Sequence, residues 1–134
     1  MNYEYRRQQN DNGFEIVLTH AQSKNVVLSC KATNVDLFEN CVHLDIYRTD
    51  DFEHAESLQD KLKSIVFDEI LTKHSIMISE LQQTASGSRF FGYCLTRAID
   101  SGMYVYHIKN EEITRVYDKK QLEECTIAII ECMK

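Results

Sequence analysis

Apolar and polar positions alternate along the first third of the chain. Proline is absent and the whole chain has four glycines, so the turns must come from Asn, Asp, Ser and those few glycines. The stretch "NDNG" (10–13) separates "YEYRRQ" from the apolar run "FEIVLTH" and predicts a hairpin turn. A second break, "AQSKN", precedes "VVLSCKAT". In "CVHLDIYR", Val42, Leu44 and Ile46 alternate with His43, Asp45 and Tyr47, the period of a half-buried strand.

After residue 50 the period changes to that of a helix. Leu58, Leu62, Ile65, Val66 and Ile70 recur at three-and-four spacing, and Asp50 with Glu53 resembles a capping box, so a helix is predicted over about 51–72. "SIMISELQ" then reads as a strand. "SGSRFFGYCLTRAI" reads as a small-residue turn and another strand, with Arg89, Phe91, Tyr93, Leu95 and Arg97 on one face and Phe90, Gly92, Cys94 and Thr96 on the other. Next come "GMYVYHI", a turn at "KNEE", and "ITRVY". At the end, Asp118 and Gln121 occupy cap positions, and Leu122, Cys125, Ile129, Cys132 and Met133 share one helical face. A helix is expected over 118–133, with a strand as the alternative because "CTIAII" is β-branched. The order of strands, helix, strands and helix predicts one α+β domain over 1–134: an antiparallel sheet with two helices packed on one face. No linker or internal repeat interrupts it.

At 134 residues, with 43% hydrophobic and 27% charged residues, the chain has the composition of a globular domain large enough to bury a core. No apolar run approaches a membrane span, and the N-terminal segment has no apolar signal core. The five cysteines form no CxxC pair; free thiols in a reducing cytoplasm are the expected state. Cys41 and His43 lack the second ligand pair that a zinc site needs, so neither a metal nor a cofactor is expected.

The net charge of −6 argues against nucleic acid as a direct ligand, since phosphate binding rests on basic patches. Its distribution says more. Asp50, Asp51, Glu53, Glu56 and Asp60 fall within eleven residues that contain no Lys or Arg. Carboxylates favour the positive end of a helix dipole, which accounts for the first three. Glu56 and Asp60 extend the charge along the helix. Asp51, Glu53, Glu56 and Asp60 are therefore candidates for a surface that meets a basic protein partner.

Other chemistry is sparse. "ASGSR" has one glycine and no lysine, so it is a turn and not a phosphate loop. Cys94 with His107 is the one nucleophile–base pair that neighbouring strands would bring together, and it carries the alternative reading of a small enzyme or ligand-binding domain. The five histidines are scattered, and His54 sits among carboxylates, where it is expected to titrate and not to catalyse. Arg89, Tyr93, Tyr104 and Tyr106, together with Arg97, Arg115 and Tyr117, are expected to share a sheet face with the composition of a protein interface.

The passage "DDFEHAESLQDKLKSIV" followed by "ISELQQTASGSRFFGYCL" resembles a bacterial domain family of uncharacterised function related to regulator B, the ribonuclease E inhibitor. The likeness covers about 44–95: an acidic-headed helix, a strand, a Gly-x-Arg turn (Gly87 to Arg89) and an aromatic strand (Phe90, Phe91, Tyr93). The tryptophans of the regulator's end pattern are absent here. The resemblance implies a ferredoxin-like sandwich that binds protein, and it brings no catalytic residues. In type, the chain also looks like bacterial toxin-immunity proteins. The expectation is a non-enzymatic, acidic, cytoplasmic binding protein without membrane or nucleic-acid contacts. It would inhibit a basic partner such as a nuclease toxin or an RNA-processing enzyme.

Overall fold

The computed structural model describes residues 2–36, 39–49, 54–79 and 85–132. Within them the chain runs β1 (Tyr3–Asn10), β2 (Gly13–His20), β3 (Val26–Val35), β4 (Cys41–Arg48) and α1 (Ala55–Ser64), which continues as a π-helical turn (Ile65–Ile70). β5 (Ser75–Ser79), α2 (Ala85–Asp100), β6 (Tyr104–Lys109), β7 (Glu112–Val116), a 3₁₀ turn (Lys119–Glu124) and β8 (Ile127–Glu131) follow. The described strands form one sheet in the order β1-β2-β3-β4-β5-β8-β6-β7.

The first four strands form an antiparallel meander at the positions the alternation predicts. The NDNG turn closes the first hairpin, with Gly13 at φ +150° where its backbone crosses β3. A Cβ there would stand 1.9 Å from the Ala32 carbonyl oxygen, so only glycine fits. The "KNEE" turn is equally well founded. Asn110 and Glu111 both take positive φ (52° and 66°), the backbone of a type I′ hairpin turn.

β4 and β5 pair in parallel, which a tight turn cannot connect, and α1 makes the crossover. Leu58, Leu62, Ile65, Val66 and Ile70 are buried as their spacing predicts. Beyond Ser64 the helix widens, and Leu71 N–H donates to the Val66 carbonyl five residues back at 2.9 Å. The wider turn puts the consecutive Ile65, Val66 and Phe67 under cover. The expected Asp50–Glu53 cap lies outside the described residues. At the described start of α1, His54 makes no side-chain capping bond.

Two expected elements differ. Residues 86–97, expected as turn and strand, lie in α2. The apolar positions Phe91, Cys94, Leu95 and Ala98 are buried at i, i+3, i+4 and i+7, and Gly92 faces outward. That helical stripe had been read at period two because the aromatics of the segment favour strands. The turn and aromatic strand implied by the family resemblance are thus one helix. The segment 118–133 is expected as helix; its described part, to residue 132, is a 3₁₀ turn followed by a strand. The cap itself is as predicted: Asp118 accepts from Lys120 N and Gln121 N, and the Gln121 side chain bonds back to the Asp118 backbone. The helix does not continue because β8 fills a slot between β5 and β6, where β-branched residues satisfy the ladders on both sides.

The α+β class and single sheet hold. The sheet is mixed, not purely antiparallel, and the ferredoxin-like βαββαβ order does not describe it, since four strands precede α1 and three follow α2. The helices are α1 and α2. Leu58 and Leu62 of one join Phe91 and Leu95 of the other in one core cluster with Phe14, Leu28, Leu44 and Ile76 of the strands.

Replacing Leu62, 2% exposed, with Ala should cost about 2–5 kcal/mol in urea unfolding. Gly13→Ala should cost about 1–3 kcal/mol through the clash with the Ala32 carbonyl and the strained φ. A Gly13→Ala protein as stable as the parent would contradict the hairpin geometry.

Candidate functional site

The sequence-predicted binding residues fall on separate surfaces. Asp51 and Glu53 lie outside the described residues. Glu56 and Asp60 are one helical turn apart on α1, and both are exposed. Asp68, on the following π-helical turn, is exposed too and accepts from Ser64 Oγ at 3.1 Å. The lysines of the same helix do not neutralise this edge. Lys61 Nζ stands over the Tyr3 ring at 5.8 Å, and Lys63 Nζ over the Tyr93 ring at 4.4 Å. A cation over an aromatic face is drawn by the ring quadrupole. The two ammonium groups therefore lean to either side of the acidic edge.

Arg89 and Tyr93 are on α2, not on a sheet face. Arg89 is exposed. Tyr93 belongs to the seam between the helices: its ring meets Phe67 edge-on at 6.2 Å and stacks on Phe90 at 6.2 Å. Its hydroxyl accepts from Arg97 Nη1 at 3.0 Å, while the Arg97 guanidinium lies 4.1 Å over Phe67. Tyr93 is a structural strut.

Tyr104 and Tyr106 do share a sheet face, the one opposite the core cluster. Register places Arg115, Tyr106, Ile129, Met77, His43 and Thr33 in a row across six strands of it. Among the described residues no helix packs on this face. The Arg115 guanidinium lies between two rings, 4.0 Å over Tyr104 and 4.9 Å over Tyr117. Arg115 Nε is covered and has no acceptor. Beside it Tyr117 is 72% exposed and Ile113 39%. Burial, then the Glu131 carboxylate, raises the Tyr106 phenol above its ordinary range, with Arg115 opposing. The sequence points to this aromatic–arginine surface, but three of its seven expected members, Arg89, Tyr93 and Arg97, lie on α2 instead.

The structure does not assemble the Cys94–His107 site. Cys94 is fully buried in the core, where desolvation raises its thiol and the nearby Arg97 opposes the shift. No hydrogen bond joins it to His107 among the described residues. Burial, then Glu69, pushes Cys30 up to about 12, and burial, then Glu131, pushes Cys41 up to about 11. These thiols keep their protons and are poor nucleophiles. Among the described residues no group of three or more His, Cys, Asp or Glu is arranged to hold a metal ion, and no helix is long and apolar enough to cross a membrane.

One cluster had no clear signal in the sequence. His54, which the sequence sets among carboxylates, is only 5% exposed. Its Nδ1 pairs with the Tyr3 hydroxyl at 2.9 Å, and its ring meets that of His20 edge-on at 5.0 Å. With Tyr5 donating to Glu69 at 2.6 Å, these contacts fasten the edge strand β1 to α1 and its π-helical extension. The partners are 51 and 64 residues apart in sequence, beyond the reach of any local pattern.

No protein-family model matches the chain, no curated protein matches it, and no solved structure matches its fold.

Unfolded thiols ionise from about pH 8.5, whereas Cys30 stays neutral in the fold up to about 12. Because its folded value is raised, its stabilising contribution is complete below the unfolded value and is lost as pH rises across that window. Urea unfolding at about pH 8 and about pH 10.5 should show an alkaline loss that shrinks in Cys30→Ala. An identical loss in both proteins would contradict the burial of this thiol.

Proposed function

We propose that this chain is a non-enzymatic binding protein that inhibits a basic protein partner through the outer face of α1. The observation that carries the reading is the pair of lysines drawn aside onto tyrosine rings, which leaves Glu56, Asp60 and Asp68 exposed along one edge. A protein that binds nucleic acid presents cations matched to phosphates. Carboxylates held on a rigid helix meet such cations directly, and the net charge of −6 steers the encounter from a distance. A nuclease toxin or an RNA-processing enzyme has this surface chemistry. The type-level likeness to immunity proteins and the resemblance to the regulator B family point to the same class of partner. Inhibition by occupancy needs only affinity and coverage of the partner's phosphate-binding surface, with no reacting group on this chain.

The test begins with capture of the partner from the source cells, followed by stopped-flow association kinetics at several salt concentrations. The double variant Glu56→Lys/Asp60→Lys should still fold, since both side chains are exposed; the loss of Glu56 from the first turn of α1 should cost about 0.3–1 kcal/mol. It should slow association by about tenfold or more at low salt and flatten the salt dependence. An unchanged rate and salt slope would remove α1 from the interface.

A further inference from the structure

We propose that the outer edge of β7 is a docking site for an extended segment of a protein partner, which adds to the sheet as a further strand and sets a carboxylate against Arg115. This surface is separate from the α1 edge, and the proposal does not depend on that reading.

Among the described strands β7 ends the order and has β6 as its ladder partner, so one side of its backbone is unpaired within the described sheet. A cleft of about 530 Å³ runs beside it. Thr114, Arg115 and Val116 all line that cleft. His107 and Lys109 of β6 line it too, opposite Thr114 and Glu112 in register, so the cleft lies against the face of the β6–β7 hairpin that carries Val105 and Val116, next to the edge strand. Lys120, Gln121 and Glu124 of the 3₁₀ turn line it as well. The volume is within the range of ordinary ligand clefts.

The two edges of the sheet differ in how they are guarded. Charged side chains on an edge strand discourage further pairing. β1 carries Glu4, Arg6 and Arg7, all exposed, and Glu4 is paired with Lys24 at 2.9 Å. β7, "EITRV", has neither lysine nor proline; its one carboxylate, Glu112, is exposed at the turn end, and beyond it the strand exposes Ile113 and supplies the β-branched Thr114 and Val116. Its one cation is folded between the Tyr104 and Tyr117 rings.

That clamp states the chemistry of the occupant. Two rings fix the guanidinium plane, so little side-chain entropy remains to be lost when an acceptor arrives. The terminal nitrogens of this half-buried side chain are not enclosed as its Nε is, and a carboxylate brought in by an added strand pairs with them. On the same face Ile113 precedes Arg115 by two residues and Tyr117 follows by two. A segment paired with β7 therefore presents an apolar side chain, an Asp or Glu, and another apolar or aromatic side chain at alternate positions. Main-chain bonds supply the affinity and the alternate side chains the selectivity.

The probe is a blocked heptapeptide, acetyl-Thr-Val-Thr-Asp-Thr-Val-Thr-amide, whose order reads the same in either strand direction. Its counterpart has asparagine at the centre. Titrated into the ¹⁵N-labelled protein, the aspartate peptide should shift the amides of residues 112–117 and bind about tenfold or more tighter than the asparagine peptide. Arg115→Gln, checked for folding by the same spectra, should abolish that preference. The comparison of the two peptides on the unaltered protein stands even if the variant is unstable. Absence of shifts along β7, shifts confined to another surface, or equal affinity for the two peptides would overturn the proposal.

Discussion

The sheet depends on the insertion of β8 between β5 and β6. Without it, the described strands fall into two groups: β1 to β5, and the β6–β7 hairpin. The joint is apolar on both faces, since Ala128 and Ile130 enter the main core while Ile129 is equally buried on the other side. A strand covered on both faces must be apolar throughout, which is why "IAII" lacks the alternation of β2 and β4. The last strand of the chain thus closes a sheet whose other members precede it. Non-local pairing of this kind is formed only after the loop entropy of the intervening chain has been lost. The 3₁₀ turn before it, fixed by Asp118 and Gln121, aims the strand into its slot.

On the helical side, cations and aromatics do the joining that apolar side chains do within the core. Lys63 on Tyr93, Arg97 on Phe67, and the bond from Arg97 to the Tyr93 hydroxyl link α1 and its π-helical turn to α2. Such contacts hold a positive charge near the surface without a carboxylate partner. They engage Lys63 and Arg97, while Glu56, Asp60 and Asp68 stay outward. The acidic edge of α1 is in this sense a consequence of how the two helices are joined.

The opposite face of the sheet divides differently. Its β1–β4 half presents charged and polar side chains such as Arg6, Glu15, Lys31 and Asp45, whereas its β6–β7 end presents Tyr104, Arg115, Tyr117 and Ile113. Aromatic residues and arginine concentrated at one end of the face opposite the helices match the composition of protein-contact surfaces. The two candidate surfaces lie on different layers of the molecule, one anionic and one built around a clamped cation, and so suit partners of different chemistry.

The sequence by itself determined the elements whose pattern is local. These are the first four strands, the α1 stripe from Leu58 to Ile70, both hairpin turns, and the cap at Asp118. Each rests on neighbours within a few residues, where sterics and hydrogen bonding act directly. The exposure of Glu56 and Asp60 was legible for the same reason, through their phase relative to the apolar stripe. Tertiary structure decided the rest. Residues 127–131 are compatible with helix or strand, and the slot between β5 and β6 selects the strand. Residues 86–97 carry both a period-two and a period-3.6 pattern; the buried stripe of α2 follows the helical one, on the same core cluster as α1. His54 and Tyr3, fifty-one positions apart, meet only because β1 returns along the sheet to the start of α1. Local pattern states what a segment can form, and only the surface it lands on supplies the burial that selects one form.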